Sequence, residues 1–258
     1  FLKCSTLFFD YFCRMKKVIL SLLTILLFSG LAQAQTIATE KKMADLSSRP
    51  ADHLMIQFGS DSWVGTPDSV KTSGMGRHFN IYFMLDKPFR TNNKFSLAYG
   101  LGFGTNNQYI DKGTQVDLSQ IANSIRFKKL DSLANRYDKQ KVATVYLQVP
   151  AEIRYYTNPA NPAKSWKLAA GVKVGLLFKG YTKMKDYQTA GGNSLYGKTY
   201  VQKISNKRFF TSNDITLTAR AGYGILSLNV GYSVTPVIRD GYGPSFNRLS
   251  VGLSISGL

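Results

Sequence analysis

Cysteine is nearly absent from this chain, and its placement excludes more than its number. The 258 residues hold two, Cys4 and Cys13, both ahead of Met15. From Met15 onward there is no thiol, which rules out disulfides and cysteine-ligated metal sites in that part. Histidine is as scarce, with His53 and His78 alone. No metal and no cofactor is expected. Acidic residues are also few, 15 Asp and Glu against 33 Lys and Arg, a net charge of +18. Missing after Ala34 is any apolar run long enough to cross a bilayer as a helix. If the chain enters a membrane, it must do so as a barrel.

What is present begins with an export signal. Met15-Lys16-Lys17, the apolar run Val18 to Phe28 and Leu31-Ala32-Gln33-Ala34 form a charged start, a greasy middle and an A-x-A cleavage site. Residues 1–14 are expected to be upstream sequence outside any fold, 15–34 a signal peptide, 35–52 a periplasmic segment and 53–258 the folded domain. Removal of the first 34 residues takes away Lys3, Arg14, Lys16, Lys17 and Asp10, leaving +15. Charge of this strength usually points to nucleic acid. Export takes the protein away from nucleic acid, so none is expected, and phosphorylated lipid is the accessible anion.

Seven segments alternate apolar with polar or small residues. In the clearest, Lys141 to Tyr156, the odd positions are Ala143, Val145, Leu147, Val149, Ala151, Ile153 and Tyr155, and the even ones include Thr144, Gln148, Glu152 and Arg154. Strand side chains point to opposite faces with period two, so one face is greasy and the other ionic. The others run through 78–85, 95–104, 166–179, 214–221, 226–235 and 248–256. An eighth, opening with Leu54, Ile56 and Phe58, brings the total to the even number that an antiparallel bacterial barrel requires. The connections (60–76, 86–93, 105–140, 157–165, 181–210, 222–224 and 236–246) alternate long and short. Outer-membrane barrels have long extracellular loops and short periplasmic turns.

A soluble carrier barrel would share the period but turn its apolar face inward. Here Lys and Arg share a face with small residues, while the apolar face carries Tyr155, Trp166, Phe178 and Tyr232 near strand ends, where an interfacial girdle would sit. The expected fold is a closed, up-and-down, eight-stranded antiparallel transmembrane β-barrel in the bacterial outer membrane. Both its ends would face the periplasm.

Three stretches carry a family likeness: Ser48-Arg49-Pro50-Ala51-Asp52-His53-Leu54 with Trp63 beyond it, Phe95 to Gly102, and Val145 to Tyr155. With the barrel pattern they resemble the PorT-like outer-membrane β-barrel family of Bacteroidota, over about Ser48 to Leu258. The resemblance implies an outer-membrane address and, for the family's named member, a part in protein secretion.

Candidate sites follow from the strand parity. Glu152, Arg154, Lys167, Lys173, Lys179, Arg220 and Arg248 should share the inner face. Eight strands leave room for side chains only, so a salt-bridged plug is expected, with ion or proton passage as the alternative. Gly100, Gly102 and Gly104, spaced by two within a strand, do not make a nucleotide loop. They are expected to make room for Tyr82 and Tyr146. His78 with Asp61, Ser60 and Ser62 suggests a conceivable Ser–His–Asp set for lipid A hydrolysis. Against it stands a rim histidine among ordinary loop polars.

From Asp117 to Tyr137, apolar residues at Leu118, Ile121, Ala122, Ile125, Leu130, Leu133, Ala134 and Tyr137 have helical spacing. Either an amphipathic helix at the barrel mouth or a compact loop packed on itself would explain it. The stretch 181–210 is basic: Lys183, Lys185, Lys198, Lys203, Lys207 and Arg208 stand against Asp186, with Tyr187, Tyr196 and Tyr200 interleaved. Outside the cell it would meet lipopolysaccharide phosphates. The expected protein is a non-enzymatic structural or interaction barrel with no catalytic residues. Its partners are outer-membrane lipid, lipopolysaccharide and other envelope or secretion proteins; a lipid-A-modifying enzyme or a small-solute transporter is the alternative.

Overall fold

The computed structural model describes residues 53–118, 123–131 and 134–257. The expected signal peptide and the segments on either side of it, residues 1–52, lie outside that range. Among the described residues no helix is long and apolar enough to cross a membrane. The chain is built from strands: β1 (Leu54–Val64), β2 (Arg77–Pro88), β3 (Phe95–Ile110), β4 (Thr114–Asp117), β5 (Arg126–Lys129), β6 (Arg136–Tyr156), β7 (Trp166–Gln188), β8 (Val201–Ser205), β9 (Asn213–Tyr223), β10 (Leu226–Ser233) and β11 (Asn247–Ser256).

Eight of these close into an antiparallel barrel in the order β6-β3-β2-β1-β11-β10-β9-β7, with β6 pairing β7 to complete the ring. Closure satisfies every strand edge within the ring, the condition for a sheet to sit in hydrocarbon. All eight alternating segments of the sequence are barrel strands. The pattern along β10 shows why: Leu226, Leu228, Val230 and Tyr232 are exposed while Ser227, Asn229, Gly231 and Ser233 are buried. The same inversion holds on β2, where Phe79, Ile81, Phe83 and Leu85 face out and His78, Asn80, Tyr82 and Met84 face in. An apolar exterior around a polar interior is stable only against lipid.

The height of that exterior fits a bilayer. On β7 it runs from Trp166 to Phe178, twelve steps that at ~3.3 Å each and a tilt near 45° rise roughly 28 Å, close to the ~25 Å band of such barrels. Aromatic rings gather at both rims. Trp166 meets Tyr223 at 5.6 Å and Phe95 meets Tyr155 at 5.1 Å on one side, and Phe103 meets Phe178 at 6.4 Å on the other.

Above the barrel the strands continue further than alternation alone indicates. β3, β6 and β7 run on to Ile110, from Arg136 and to Gln188. Much of the stretches 105–140 and 181–210 is therefore strand, not loop. β8 pairs with β7 from Tyr181 to Lys185, making a sheet of β3, β6, β7 and β8 that projects past the rim. The described part of 117–137 is not helical. β4 and β5 form a hairpin, with Leu118 and Ile125 buried beside it. Its helix-like spacing is that of a loop folding onto an apolar cluster; Ile121, Ala122 and Leu133 lie outside the described residues.

One irregularity redirects side chains. Between β6 and β7 the register shifts at Val145/Tyr146, so that Val145 opposes Lys179 and Tyr146 opposes Leu177. The extra residue on β7 reverses its parity, since one step of slip exchanges the two faces. Below it Lys167 and Lys173 face inward; above it Gly180, Thr182, Met184 and Asp186 do. Lys179 is exposed on the outer wall, contrary to the expectation that it joins the interior.

Candidate functional site

The lumen is filled. Glu152 accepts from Arg220 Nη2 at 2.8 Å and Arg154 Nε at 3.2 Å, all three side chains being buried. Arg220 also donates to Ser256 Oγ at 3.3 Å. Toward the end that carries the long connections Arg248 Nη2 donates to Asp214 at 2.8 Å. Asp214 also accepts from Ser233 at 2.7 Å and Thr216 at 3.0 Å. Lys173 lies between them, 3.5 Å from Gln57 Oε1 and 5.7 Å from the Tyr82 ring centre, while the Tyr82 hydroxyl donates to Gln148 at 2.6 Å. Lys167 sits over the Tyr156 ring near the end with the short turns. Of the seven ionic residues assigned to the interior, the structure places six there. Sequence parity could also have assigned Asp214, which shares a strand face with Arg220, and Asp61.

An apolar lid closes the outer end. Val70, Ile110, Val116, Leu118, Ile125, Val142, Phe209, Phe210, Val237, Ile238 and Phe246 form one buried cluster with contributions from each of the four long connections. Trp63 packs on Phe246 at 4.5 Å and edge-on to Phe127 at 6.3 Å. The cavity beneath, bounded by Asp61, Asn106, Gln108 and Arg248, holds about 10 Å³, at or below what one water needs.

The Ser–His–Asp set does not assemble. His78 Nδ1 lies 2.8 Å from Asp61 Oδ1, both buried in the lumen. Ser60 and Ser62 alternate with Asp61 on β1 and so project to the other face: Ser60 donates to Gly76 O, and Ser62 is exposed. Nε2 of His78 has no hydrogen-bond partner among the described residues. His53, at the other end of β1, stacks on Phe83 at 5.6 Å. The strand glycines do make room, Gly102 for Tyr82 as expected and the other two for different partners. A Cβ on Gly102 would strike Tyr82, but one on Gly100 would meet Met84 and one on Gly104 would meet Gln148; Gly175 is the glycine beside Tyr146. Among the described residues no group of His, Cys, Asp and Glu could hold a metal ion.

Outside the barrel the charges are arranged differently. Along the projecting sheet Tyr109 opposes Lys141, Lys141 opposes Lys183 and Lys183 opposes Lys203. In the adjacent row Lys139 opposes Lys185. Directly opposed side chains in a sheet stand ~5 Å apart at Cβ, and like charges there repel. Tyr109, Lys139, Gln140, Lys141, Lys183 and Lys185 line a cleft of about 230 Å³. Lys141 donates to Asn107 Oδ1 at 2.7 Å, and Lys203 lies 4.2 Å from the Tyr181 ring centre. Burial, then the charges of Lys183, Lys203 and Lys185, push the Lys141 amine below its usual value. The neighbouring acids are engaged elsewhere. Asp138 pairs with Lys112 at 2.6 Å, and that hydrogen bond holds its carboxyl low. Asp186 accepts from Ser194 and Gln188 at 2.6 Å each.

Of the six basic residues singled out in 181–210, Lys183, Lys185 and Lys203 join this face. Lys198 is exposed in the connection between β7 and β8. Lys207 and Arg208 belong to a short 3₁₀ turn, with Arg208 over the Phe209 and Tyr242 rings. Lys139 and Lys141 were missed because they lie 40 or more residues earlier. Only the β6–β7 register brings them alongside. Beyond the lysines, Tyr137, Tyr187, Tyr196 and Tyr200 form a chain of ring contacts, 4.8, 6.2 and 5.1 Å apart in turn.

This geometry can be set beside known proteins. A family model described as an outer membrane protein beta-barrel domain matches residues 53–240. The chain belongs to this family. The matched span runs from the start of β1 into the connection before β11, and it places the barrel in the outer membrane. No curated protein matches the chain. Among solved structures it is similar to Ail, the attachment invasion locus protein of Yersinia pestis, crystallised with the heparin analogue sucrose octasulfate. That likeness has 12% identity, covers 79% of this chain and 94% of the other, and has a TM-score of 0.33.

Proposed function

We propose that this outer-membrane barrel is a non-enzymatic interaction component of the cell envelope, a rigid sealed stem that holds a basic β-extension above the membrane. One observation supports this above all. The interior is packed, with its arginines held by acids, under an apolar lid, so the charged groups left to meet a partner are those on the extension. Its nearest partner is the lipopolysaccharide of the outer leaflet, whose phosphates complement lysine amines. The resemblance of Ser48–Leu54, Phe95–Gly102 and Val145–Tyr155 to PorT-like barrels supports a more specific version, in which the barrel serves a protein-secretion assembly.

A small-solute transporter would conduct. The purified barrel in a planar bilayer is expected to be silent, and stable unitary currents would overturn the sealed-stem reading. Crosslinking from the extension in intact cells is expected to capture envelope components. The enzyme alternative is checked by His78→Ala with lipid A profiling: an unchanged profile is expected, and loss of an acyl chain modification would overturn the non-enzymatic reading.

A further inference from the structure

The lysine face is built against its own stability. Lys139, Lys141, Lys183, Lys185 and Lys203 occupy adjacent positions on three paired strands. None of the five is paired with a carboxylate among the described residues. Sheets ordinarily place opposite charges or neutral groups in such cross-strand positions, because like charges face to face cost free energy. In the lumen Arg154, Arg220 and Arg248 each have an acid, and the buried Lys173 rests on Gln57 and the Tyr82 ring. A cation cluster without acids among the described residues, set over a cleft, is complementary to an anion supplied from outside.

The position of the face identifies which anion is in reach. Lys139 and Lys141 have the same parity on β6 as the lipid-facing Val145, Leu147 and Val149. On β7 the bulge carries the outer wall from Phe178 over to Tyr181, Lys183 and Lys185. The lysines thus continue the lipid-facing wall and do not look into the barrel mouth. Lys183 lies five residues beyond Phe178, roughly 10–15 Å above the hydrocarbon rim at strand rise and tilt. Lys179, exposed just past Phe178, adds a cation at the rim itself. A molecule seated there belongs to the ring of lipids around the barrel and reaches upward with its head group.

We infer that the cleft between β3, β6 and β7 is a cis site for a phosphorylated glycolipid head group, with Lys141 and Lys183 holding one phosphate and Lys139 and Lys185 its outer neighbour. Lys203 closes the row, and Tyr109 offers a ring face to the sugar. The cleft's 230 Å³ is several times the ~30 Å³ share of one water, room for a phosphate ester rather than a bare ion. This rests on reading the barrel as an interaction component whose nearest partner is the lipopolysaccharide around it.

The test uses the full barrel in neutral detergent and rough lipopolysaccharide, either intact or enzymatically dephosphorylated, with retention read by native mass spectrometry. Intact lipopolysaccharide is expected to be held about tenfold better than the dephosphorylated form, as for a pair of charge-assisted contacts. The variant K141Q/K183Q/K185Q should lose that tenfold preference. K198Q/K207Q/R208Q, which removes equal charge outside the cleft, should change it by less than about twofold. Folding of each variant is checked by heat-modifiable migration. Should the first triple variant not fold, the exposed K185Q alone is expected to weaken retention about threefold.

Equal losses in the two triple variants, or equal retention of the dephosphorylated form, would overturn the site. So would tighter binding of a soluble sulfated polysaccharide than of lipopolysaccharide, which would move the ligand's source to outside the membrane. Unitary currents would instead remove the sealed-stem reading and leave this site standing. Loss of phosphate preference in a silent barrel removes the site alone.

Discussion

The lumen and the projecting sheet use the same residue types in opposite ways. Within the barrel Arg154 and Arg220 share Glu152, and Arg248 has Asp214. Above it, five lysines of β6, β7 and β8 have one another for neighbours. The difference follows from the solvent each region meets. A buried ion without a partner costs several kcal/mol, so the interior must be self-sufficient. A sheet in water can carry unpaired charge, screened within about 8 Å at physiological salt, and keep it available. Arginines paired with acids mark the stem, and a row of lysines without acids marks the working face.

The sharpest way to break this comparison is to remove an acid from the interior. Glu152→Gln leaves Arg154 and Arg220 buried around a neutral amide. It is expected to cost about 3–5 kcal/mol of unfolding free energy in detergent, the range for breaking a buried pair. A loss under ~1 kcal/mol would mean that the lumen is wetter than its packing indicates. Asp214→Asn should follow at about 3 kcal/mol, since it weakens the acceptor of Arg248, Ser233 and Thr216 together. Both are read from denaturant midpoints of the refolded barrel. A smaller effect is expected from Gly102→Ala. Its Cβ would meet the Tyr82 ring 2.6 Å away and press on the β2 backbone, an overpacking cost of about 1–3 kcal/mol.

The stem was legible in the sequence because period two is a local signal. Leu226 to Val234 or Phe95 to Phe103 needs no knowledge of its neighbours to be assigned a greasy face. Parity also placed Glu152, Arg154, Lys167, Lys173, Arg220 and Arg248 in the lumen. It failed at Lys179, because a bulge inserts one residue without changing the composition on either side of it. Leu177, apolar on the polar face, lies just before that bulge and keeps its inward parity, because there it packs against the lid. The site was less legible than the stem. Lys183, Lys185 and Lys203 stood out as a charge run, but their alignment with Lys139 and Lys141 is a matter of register between distant strands. The hairpin of β4 and β5 hid for a related reason. Loop residues packing onto one apolar cluster recur irregularly enough to imitate helical spacing.

The mildest prediction concerns the projecting sheet by itself. If its lysines are held together at a cost, neutralising them without ligand should strengthen it. K141Q/K183Q is expected to raise stability by a few tenths to ~1 kcal/mol, the scale of a cross-strand pair, lessened by salt. The same reasoning fixes a pH dependence. The Lys141 amine loses its proton more readily in the folded sheet than in an unfolded chain, whose lysines titrate near 10.5. Just below that value the unfolded form therefore binds more protons, and stability rises with pH. At neutral pH both forms are protonated and the repulsion is felt in full. Limited proteolysis of the extension should slow as pH is raised toward 10 in the native protein, relative to a K141Q control in which that dependence is reduced. Equal pH profiles in the two proteins would show that the lysines do not strain the sheet. The contrast between a satisfied stem and an unsatisfied extension would then rest on geometry alone.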